Sequence, residues 1–184
     1  SLVGSEMCIR DSIYYGTEQY VVPADGSDVS GRIFMQTDSS FDTDTTAYKL
    51  IGKLSELRQQ NDAIAYGTTT IRYSNDDVLI YERKFYDDVI LVAINRQPDK
   101  AYTIDNVETL LPEGEYVDFL GGMLNGENIS VYASTGINTT ASITLDGGEV
   151  GIWQYDAAAN APEIGNVVST MGLSLIHISE PTRL

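Results

Sequence analysis

Side chains suited to nucleophilic or metal chemistry are scarce in this chain of 184 residues, which has one cysteine, Cys8, and one histidine, His177. A single thiol can form neither an internal disulfide nor a multi-thiolate metal site. Carboxylates are paired at Asp76-Asp77 and Asp87-Asp88, and hard oxygen donors of this kind suit calcium. Each pair lies in a predicted turn, where Asp is favoured for local reasons, so we predict no metal site from them.

The overall charge of the chain argues against two classes of binding partner. The chain carries 27 acidic and 11 basic side chains, for a net charge of -16. Nucleic acids and anionic membranes are bound through basic patches, so we expect neither as a partner. There is also no run of 18 apolar residues that would indicate a transmembrane helix.

The two ends of the chain are related to each other at the DNA level. A DNA sequence encoding LSLIHISEPTRL (residues 173–184) also encodes SLVGSEMCIRDS (residues 1–12) when it is reverse-complemented and shifted by one base. Unrelated termini have no reason to encode each other, and the string resembles a transposase-type sequencing adapter. We therefore predict that both segments are translated adapter, which removes Cys8 and His177 from consideration.

The first part of the remaining sequence contains one strand and one helix. Residues 13–16 read as a short strand that ends at Gly16, and a Pro- and Gly-containing loop follows at residues 23–31. A helix of about 16 residues is then indicated by apolar residues at helical spacing, with Thr43 or Asp44 as N-cap and Asn61-Asp62 at its end. These apolar residues are Ala47, Leu50, Ile51, Leu54 and Leu57.

Residues 63–156 have a different pattern, in which short Val-, Ile-, Thr- and Tyr-rich runs alternate with turns. About eight strands at this spacing predict an antiparallel β-sandwich. The clearest hairpin spans residues 77–96, and its second strand is apolar almost throughout, which predicts burial on both faces. Gly147-Gly148 predicts a turn between two further strands, and Trp153 is predicted to be a core residue. Residues 157–172 read as a linker and the start of another domain.

A resemblance to a known family rests on a series of segments that occur in order along the chain. They are IYYGTEQY, SSFDTDTTAYKLIGKL, LRQQNDAIAYGTTT, NDDVLIYERKF, VAINR, LPEGEY, LGGMLNG and APEIGNV. The series resembles the cyclodextrin glucanotransferases, and the maltogenic α-amylases of the same layout match about equally well. The resemblance implies a mostly β fold: a Greek-key sandwich, the C domain, preceded by the last β/α unit of a (β/α)8 barrel. Residues 13–62 would complete the barrel, and residues 157–172 would begin an immunoglobulin-like D domain.

The resemblance also implies an activity. The parent would be a secreted, monomeric enzyme acting on starch and other α-1,4-glucans by a retaining mechanism with two carboxyl groups. Those groups, like the family's calcium ligands, would lie upstream of Ile13, so we expect this chain to have no catalytic residue and no cofactor. Two alternatives stay open: a hydrolase of the maltogenic α-amylase type, and a noncatalytic β-sandwich carbohydrate-binding module.

Two groups of residues are expected to contact glucan. The family pattern Asp-Pro-x-Asn-Arg follows the eighth barrel strand, and its counterpart DVSGR gives Asp28 and Arg32 as a donor subsite, with Val29 and Gly31 departing from the pattern. In some relatives an Arg-Trp-x-Asn segment of the C domain contacts maltose. The counterpart here is Arg72, Tyr73 and Asn75, in which the ring offers an apolar platform and the polar groups reach hydroxyls.

Overall fold

The computed structural model describes residue 13, residues 15–21, residues 41–157 and residue 159. Both predicted adapter segments, the loop that contains Asp28 and Arg32, and most of the predicted linker lie outside the described residues. None of the described helices is long and apolar enough to cross a membrane.

The strand predicted at residues 13–16 is not found at the described positions. Tyr15 and Gly16 form a turn, and Gly16, at φ 83°, leads into a 3-10 helix at Thr17–Gln19. A barrel strand is held by hydrogen bonds to its neighbours, and no described strand pairs with these residues. The preceding barrel unit therefore stays a prediction.

Helix α1 spans Thr46–Gln60 and is followed directly by the short helix α2, Asp62–Tyr66. Its N-cap is Thr45, whose side chain accepts a hydrogen bond from the Tyr48 amide, so the prediction of Thr43 or Asp44 was wrong by one or two residues. Asp44 instead pairs with Lys49 at 3.1 Å. The end of α1 at Asn61 was predicted correctly, but α2 was not predicted.

Asn61 fastens the helical segment to the sheet. Its Oδ1 accepts a hydrogen bond from the Ala63 amide at 3.0 Å and caps α2. Its Nδ2 donates to the carbonyl oxygen of Tyr155 at 3.2 Å. One buried side chain thus joins α1, α2 and the last strand of the domain.

Ten strands follow in the described residues 68–155, rather than about eight. They are β1 Thr68–Ser74, β2 Val78–Phe85, β3 Asp88–Asn95, β4 Tyr102–Ile104, β5 Glu108–Thr109, β6 Gly114–Tyr116, β7 Ile129–Tyr132, β8 Asn138–Thr140, β9 Ile143–Leu145 and β10 Val150–Tyr155. They form sheets in the orders β1-β2-β3-β10, β4-β9 and β5-β8-β7-β6, and every ladder is antiparallel. In the third sheet β8 returns beside β5, which is a Greek-key arrangement.

Two clusters of buried side chains cover the two faces of the first sheet. The inner cluster lies between the sheets and includes Val78, Ile80, Leu91, Val131, Leu145 and Trp153. The outer cluster joins Ile90, Val92 and Ile152 to Leu57 of α1 and Ala63 of α2. Strand β3 therefore contributes to both, which confirms the prediction from its uninterrupted apolar run.

The two predicted turns had different outcomes. The β2–β3 hairpin is present, with Phe85 paired to Asp88 around a two-residue turn. The turn at Gly147-Gly148 joins two strands, but they do not pair with each other, because β9 pairs with β4 and β10 with β3. That turn carries the chain from one sheet to another. Trp153 is buried, as predicted, and its indole N–H donates to the Glu127 carbonyl oxygen at 2.8 Å.

Candidate functional site

The predicted surface sugar site lies at the end of edge strand β1, where the strand carries a bulge. Ile71 is opposite Tyr81 and Tyr73 is opposite Ile80, so Arg72 is an extra residue in the ladder. A bulge changes the direction in which neighbouring side chains point. Here it lets both Arg72 and Tyr73 face the sandwich interior, since Arg72 reaches the buried Glu82 and Tyr73 packs on the inner cluster.

Arg72 forms a buried ion pair inside the sandwich. Its Nη2 lies 2.5 Å from Glu82 Oε1, and the two side chains are only 10% and 1% exposed. The other oxygen of Glu82 accepts hydrogen bonds from Thr109 Oγ1 and the Leu110 amide, each at 2.7 Å. The guanidinium thus links β1 and β2 to the third sheet, and little of it is presented to solvent.

Asn75 organises the turn after β1 and fixes the position of Tyr73. Its Oδ1 accepts hydrogen bonds from the amides of Asp77 and Val78 at 2.8 and 2.6 Å. Its Nδ2 donates to the Tyr73 hydroxyl at 3.1 Å. Because that hydroxyl accepts from Asn75, its own hydrogen can be donated to a ligand. Tyr73 and Asn75 are therefore brought together, whereas Arg72 is directed elsewhere.

A shallow groove of about 390 Å³ lies beside Asn75. It is lined by residues 74–79, Ile94 and Arg96. The Arg96 guanidinium is well exposed, and its Nε is 4.0 Å from Asp77 Oδ1; the Tyr102 hydroxyl also donates to Asp77. Arg96 thus presents exposed hydrogen-bond donors in this groove, which Asn75 lines but Tyr73 does not. Arg96 was not predicted as a site residue, although the predicted hairpin of residues 77–96 has Asp77 and Arg96 at its two ends.

The paired acidic residues have local roles. Asp77 accepts from Tyr102, and Asp88 Oδ1 accepts from the Ala157 amide at 2.9 Å. In the part of the chain that the structure describes, no group of three or more His, Cys, Asp or Glu residues could hold a metal ion. Asp28 and Arg32 lie outside that part.

Glu149 is a buried carboxylate that sequence reasoning missed. The residue is 2% exposed; its Oε2 accepts a hydrogen bond from the Asp146 amide at 2.6 Å, and its Oε1 is buried without a partner among the described residues. Burial is the main cause that raises the pKa of Glu149, and the nearby carboxylates of Asp146, Glu127 and Asp118 raise it further. The hydrogen bond from the Asp146 amide lowers the pKa and opposes these effects. The group immediately precedes β10, and its burial bears on the stability of the domain.

The β-sandwich matches a known protein family. Residues 72–156 match the model of the α-amylase C-terminal all-beta domain. The matched segment begins at the bulge of β1 and ends just after β10.

Two curated relatives extend the likeness beyond the sandwich. The chain is 52% identical over 160 residues to the cyclomaltodextrin glucanotransferase of Thermoanaerobacterium thermosulfurigenes, a match covering 87% of this chain and 21% of that protein. It is 50% identical over 161 residues to the same enzyme of Paenibacillus macerans, with 88% and 21% covered. The chain thus spans about a fifth of the length of these relatives.

Two solved structures of cyclomaltodextrin glucanotransferases also match this chain. The γ-cyclomaltodextrin glucanotransferase of alkalophilic Bacillus clarkii matches with a TM-score of 0.69 and 46% identity, over 78% of this chain and 20% of that one. CldA, a cyclomaltodextrin glucanotransferase with a three-domain ABC distribution, matches with a TM-score of 0.69 and 46% identity, over 77% and 28%. Residues 72–156 are therefore an α-amylase C-terminal all-beta domain, and over most of its length the chain is similar to cyclomaltodextrin glucanotransferases.

Proposed function

We propose that this chain is the noncatalytic C-domain region of a secreted cyclodextrin glucanotransferase that acts on starch and related α-1,4-glucans. The observation that carries the proposal is the identity of about one residue in two to the two relatives above, which holds over most of this chain. The retaining reaction requires a carboxylate nucleophile and a second carboxyl group as acid and base. Both groups, and the calcium ligands of the parent, belong to the part of the enzyme that precedes this chain.

Within such an enzyme, the sandwich would hold glucan away from the catalytic cleft. The Tyr73 ring is partly exposed and its hydroxyl is held by Asn75, and Arg96 adds exposed donors beside the same turn. One partly exposed ring and a few polar groups support a dissociation constant of about 1 mM. Even a weak site raises the effective concentration of substrate when it is linked to a cleft.

The other proposed contacts and properties rest on the resemblance. Asp28 and Arg32 would bind sugar hydroxyls at a donor subsite, since an Asp accepts and an Arg donates. The parent would be an extracellular monomer with neither nucleic acid nor membrane as partner. The hydrolase alternative has no specific observation in its favour. A free-standing binding module is not favoured either, because the outer cluster ties the sandwich to α1.

A domain transplant tests whether the chain is equivalent to the same region of a known transferase. Residues 13–172 would replace the matching segment of the Thermoanaerobacterium enzyme, with the unmodified enzyme as control. We expect the chimaera to convert starch to cyclic glucans at a rate within about tenfold of the control, because the reacting carboxylates are retained. A chimaera that melts cooperatively but releases only linear sugars would contradict the proposal.

A further inference from the structure

Three aromatic rings form an exposed patch at the tip of the β2–β3 hairpin. The Phe85 ring lies between those of Tyr66 and Tyr86, with centroids 5.6 Å apart at 47° and 4.7 Å apart at 81°, respectively. Tyr66 is 69% exposed and Tyr86 is 82% exposed. Phe85 therefore contacts both tyrosine rings, one tilted and one edge-to-face, while most of the two tyrosine surfaces faces solvent.

Tyr86 adopts a backbone conformation that does not favour its side chain. It is the first residue of the two-residue turn, and its φ is 48°. This left-handed region suits glycine and is uncommon for bulky residues. Because the ring is largely exposed, its burial offsets little of that cost. Residues held in unfavourable conformations cluster at sites of function.

The patch is built on a fixed scaffold. Phe85 packs on the outer cluster. Arg83 donates from Nε to the Ala63 carbonyl oxygen at 2.9 Å and from Nη2 to the Gly67 carbonyl oxygen at 2.7 Å. These bonds hold both ends of the segment that carries Tyr66 against β2, so the rings are already arranged before a ligand binds, which lowers the entropy cost of binding.

We propose that Tyr66, Phe85 and Tyr86 form a second α-glucan-binding site on this domain. The inference rests on the proposed function for its choice of glucan. The chemistry fits a sugar chain, since tyrosine joins an apolar ring face to a hydroxyl that donates and accepts hydrogen bonds. The Asp87 carboxylate in the same turn adds an exposed acceptor. A neutral ligand also avoids repulsion from a protein of net charge -16.

The aromatic patch of Tyr66, Phe85 and Tyr86 is separate from the predicted sugar site at Tyr73 and Asn75. Tyr73 lies opposite Ile80, whereas Phe85 is five residues further along β2, a distance of about 17 Å at the usual rise of a strand. The Tyr73 and Phe85 rings are also on opposite faces of the sheet, because Tyr73 packs on the inner cluster and Phe85 on the outer cluster. Two weak sites on one domain would increase the avidity for long glucans.

The test is an NMR titration of the 184-residue chain with maltohexaose, using cellohexaose as the control sugar. We expect maltohexaose to shift the amides of residues 84–88. Tyr86→Gly should weaken that response about tenfold, the upper range for one aromatic contact, while leaving the melting temperature unchanged or higher, because glycine relieves the positive φ. Tyr66→Ala should weaken it as well, and Tyr73→Ala should leave it unchanged.

The results of this titration test the aromatic site independently of the activity proposed for the parent enzyme. An absence of maltohexaose-induced shifts at residues 84–88 would overturn the inference, as would equal shifts in wild type and Tyr86→Gly. Shifts confined to residues 73–75 would overturn it while leaving the Tyr73 site intact. Formation of cyclic glucans by the transplanted enzyme does not depend on Tyr86, so it reports on the proposed function alone.

Discussion

At the scale of single residues, Glu149 gives the domain a pH-dependent stability. The ordinary pKa of a Glu carboxyl is 4.5, and burial raises the pKa of Glu149 above that value in the folded protein. The folded protein therefore holds this proton more tightly than the unfolded chain does. The associated stability is complete below pH 4.5 and is lost as the pH rises through the folded-state pKa. The Oε1 atom of Glu149 has no hydrogen-bond partner among the described residues, so ionisation of this buried carboxyl is unfavourable.

Glu149→Gln should raise the free energy of unfolding at neutral pH by about 1–3 kcal/mol, the usual cost of a poorly satisfied buried group. The gain should shrink as the pH falls through the raised folded-state pKa of Glu149 toward 4.5, because the wild-type carboxyl becomes protonated over that range. Urea denaturation as a function of pH measures it, with Glu113→Gln, at an exposed position that does not act on Glu149, as the control. An equal gain at every pH would show that ionisation of Glu149 is not the cause.

Arg72 and Arg96 should respond in opposite ways to truncation. Arg72→Ala leaves the Glu82 carboxylate buried and unpaired, so it should lower the unfolding free energy by about 3–5 kcal/mol. Arg96→Ala removes an exposed side chain and should change it by about 0.5 kcal/mol or less. Chemical denaturation of both variants compares them. Similar small losses would mean that the Arg72–Glu82 pair does not hold the sheets together.

The position of the Arg72 side chain could not be predicted from the sequence. The segment Arg72-Tyr73-Ser74-Asn75 was identified, and the structure does bring Tyr73 and Asn75 together. The bulge at Arg72 could not be predicted, since it depends on the register against β2. The contact of Arg96 with Asp77, in contrast, joins the two ends of the predicted hairpin, so it could have been inferred from the sequence.

At the scale of elements, the helix before the sandwich is part of the sandwich's own packing. Leu57 of α1 is 1% exposed and belongs to the outer cluster, whereas Leu54, one turn earlier, is 41% exposed. Leu57→Ala should therefore lower the free energy of unfolding of the β-domain by about 2–5 kcal/mol. Leu54→Ala, the matched control, should change it by about 0.5 kcal/mol or less.

Denaturation followed by Trp153 fluorescence measures this prediction, since Trp153 lies in the inner cluster. If Leu57→Ala leaves that transition unchanged, then the sandwich folds independently of α1. That result would support residues 63–156 as a unit that folds on its own.

The elements also show why some of the fold could be predicted and some could not. Helix α1 and the β2–β3 hairpin were identified because each has a local signal, the apolar spacing of a helix and a short turn between two apolar runs. The strand partners of β9 and β10 are residues far away in sequence. The Gly147-Gly148 turn therefore had the sequence of a hairpin turn but connects two sheets.

At the scale of the whole molecule, the sequence segments that resemble cyclodextrin glucanotransferases led to the right family. The order of many short segments carried that result, and the matches to two curated relatives and two solved structures support it. The domain boundaries and the glucan contacts stay predictions. The chain spans about a fifth of those relatives, so its activity has to be tested in a longer protein.

The most direct test is product analysis of the complete protein encoded around this sequence. The DNA upstream of the codon for Ile13 would be recovered, the full reading frame expressed, and the products from starch separated by size and by resistance to exo-acting glucoamylase. We expect cyclic, resistant glucans from the full protein and no turnover of starch by the 184-residue chain, which would lack the carboxyl pair of a retaining enzyme. Exclusively linear products from the full protein, or turnover that follows the purified 184-residue chain through repurification, would contradict this account.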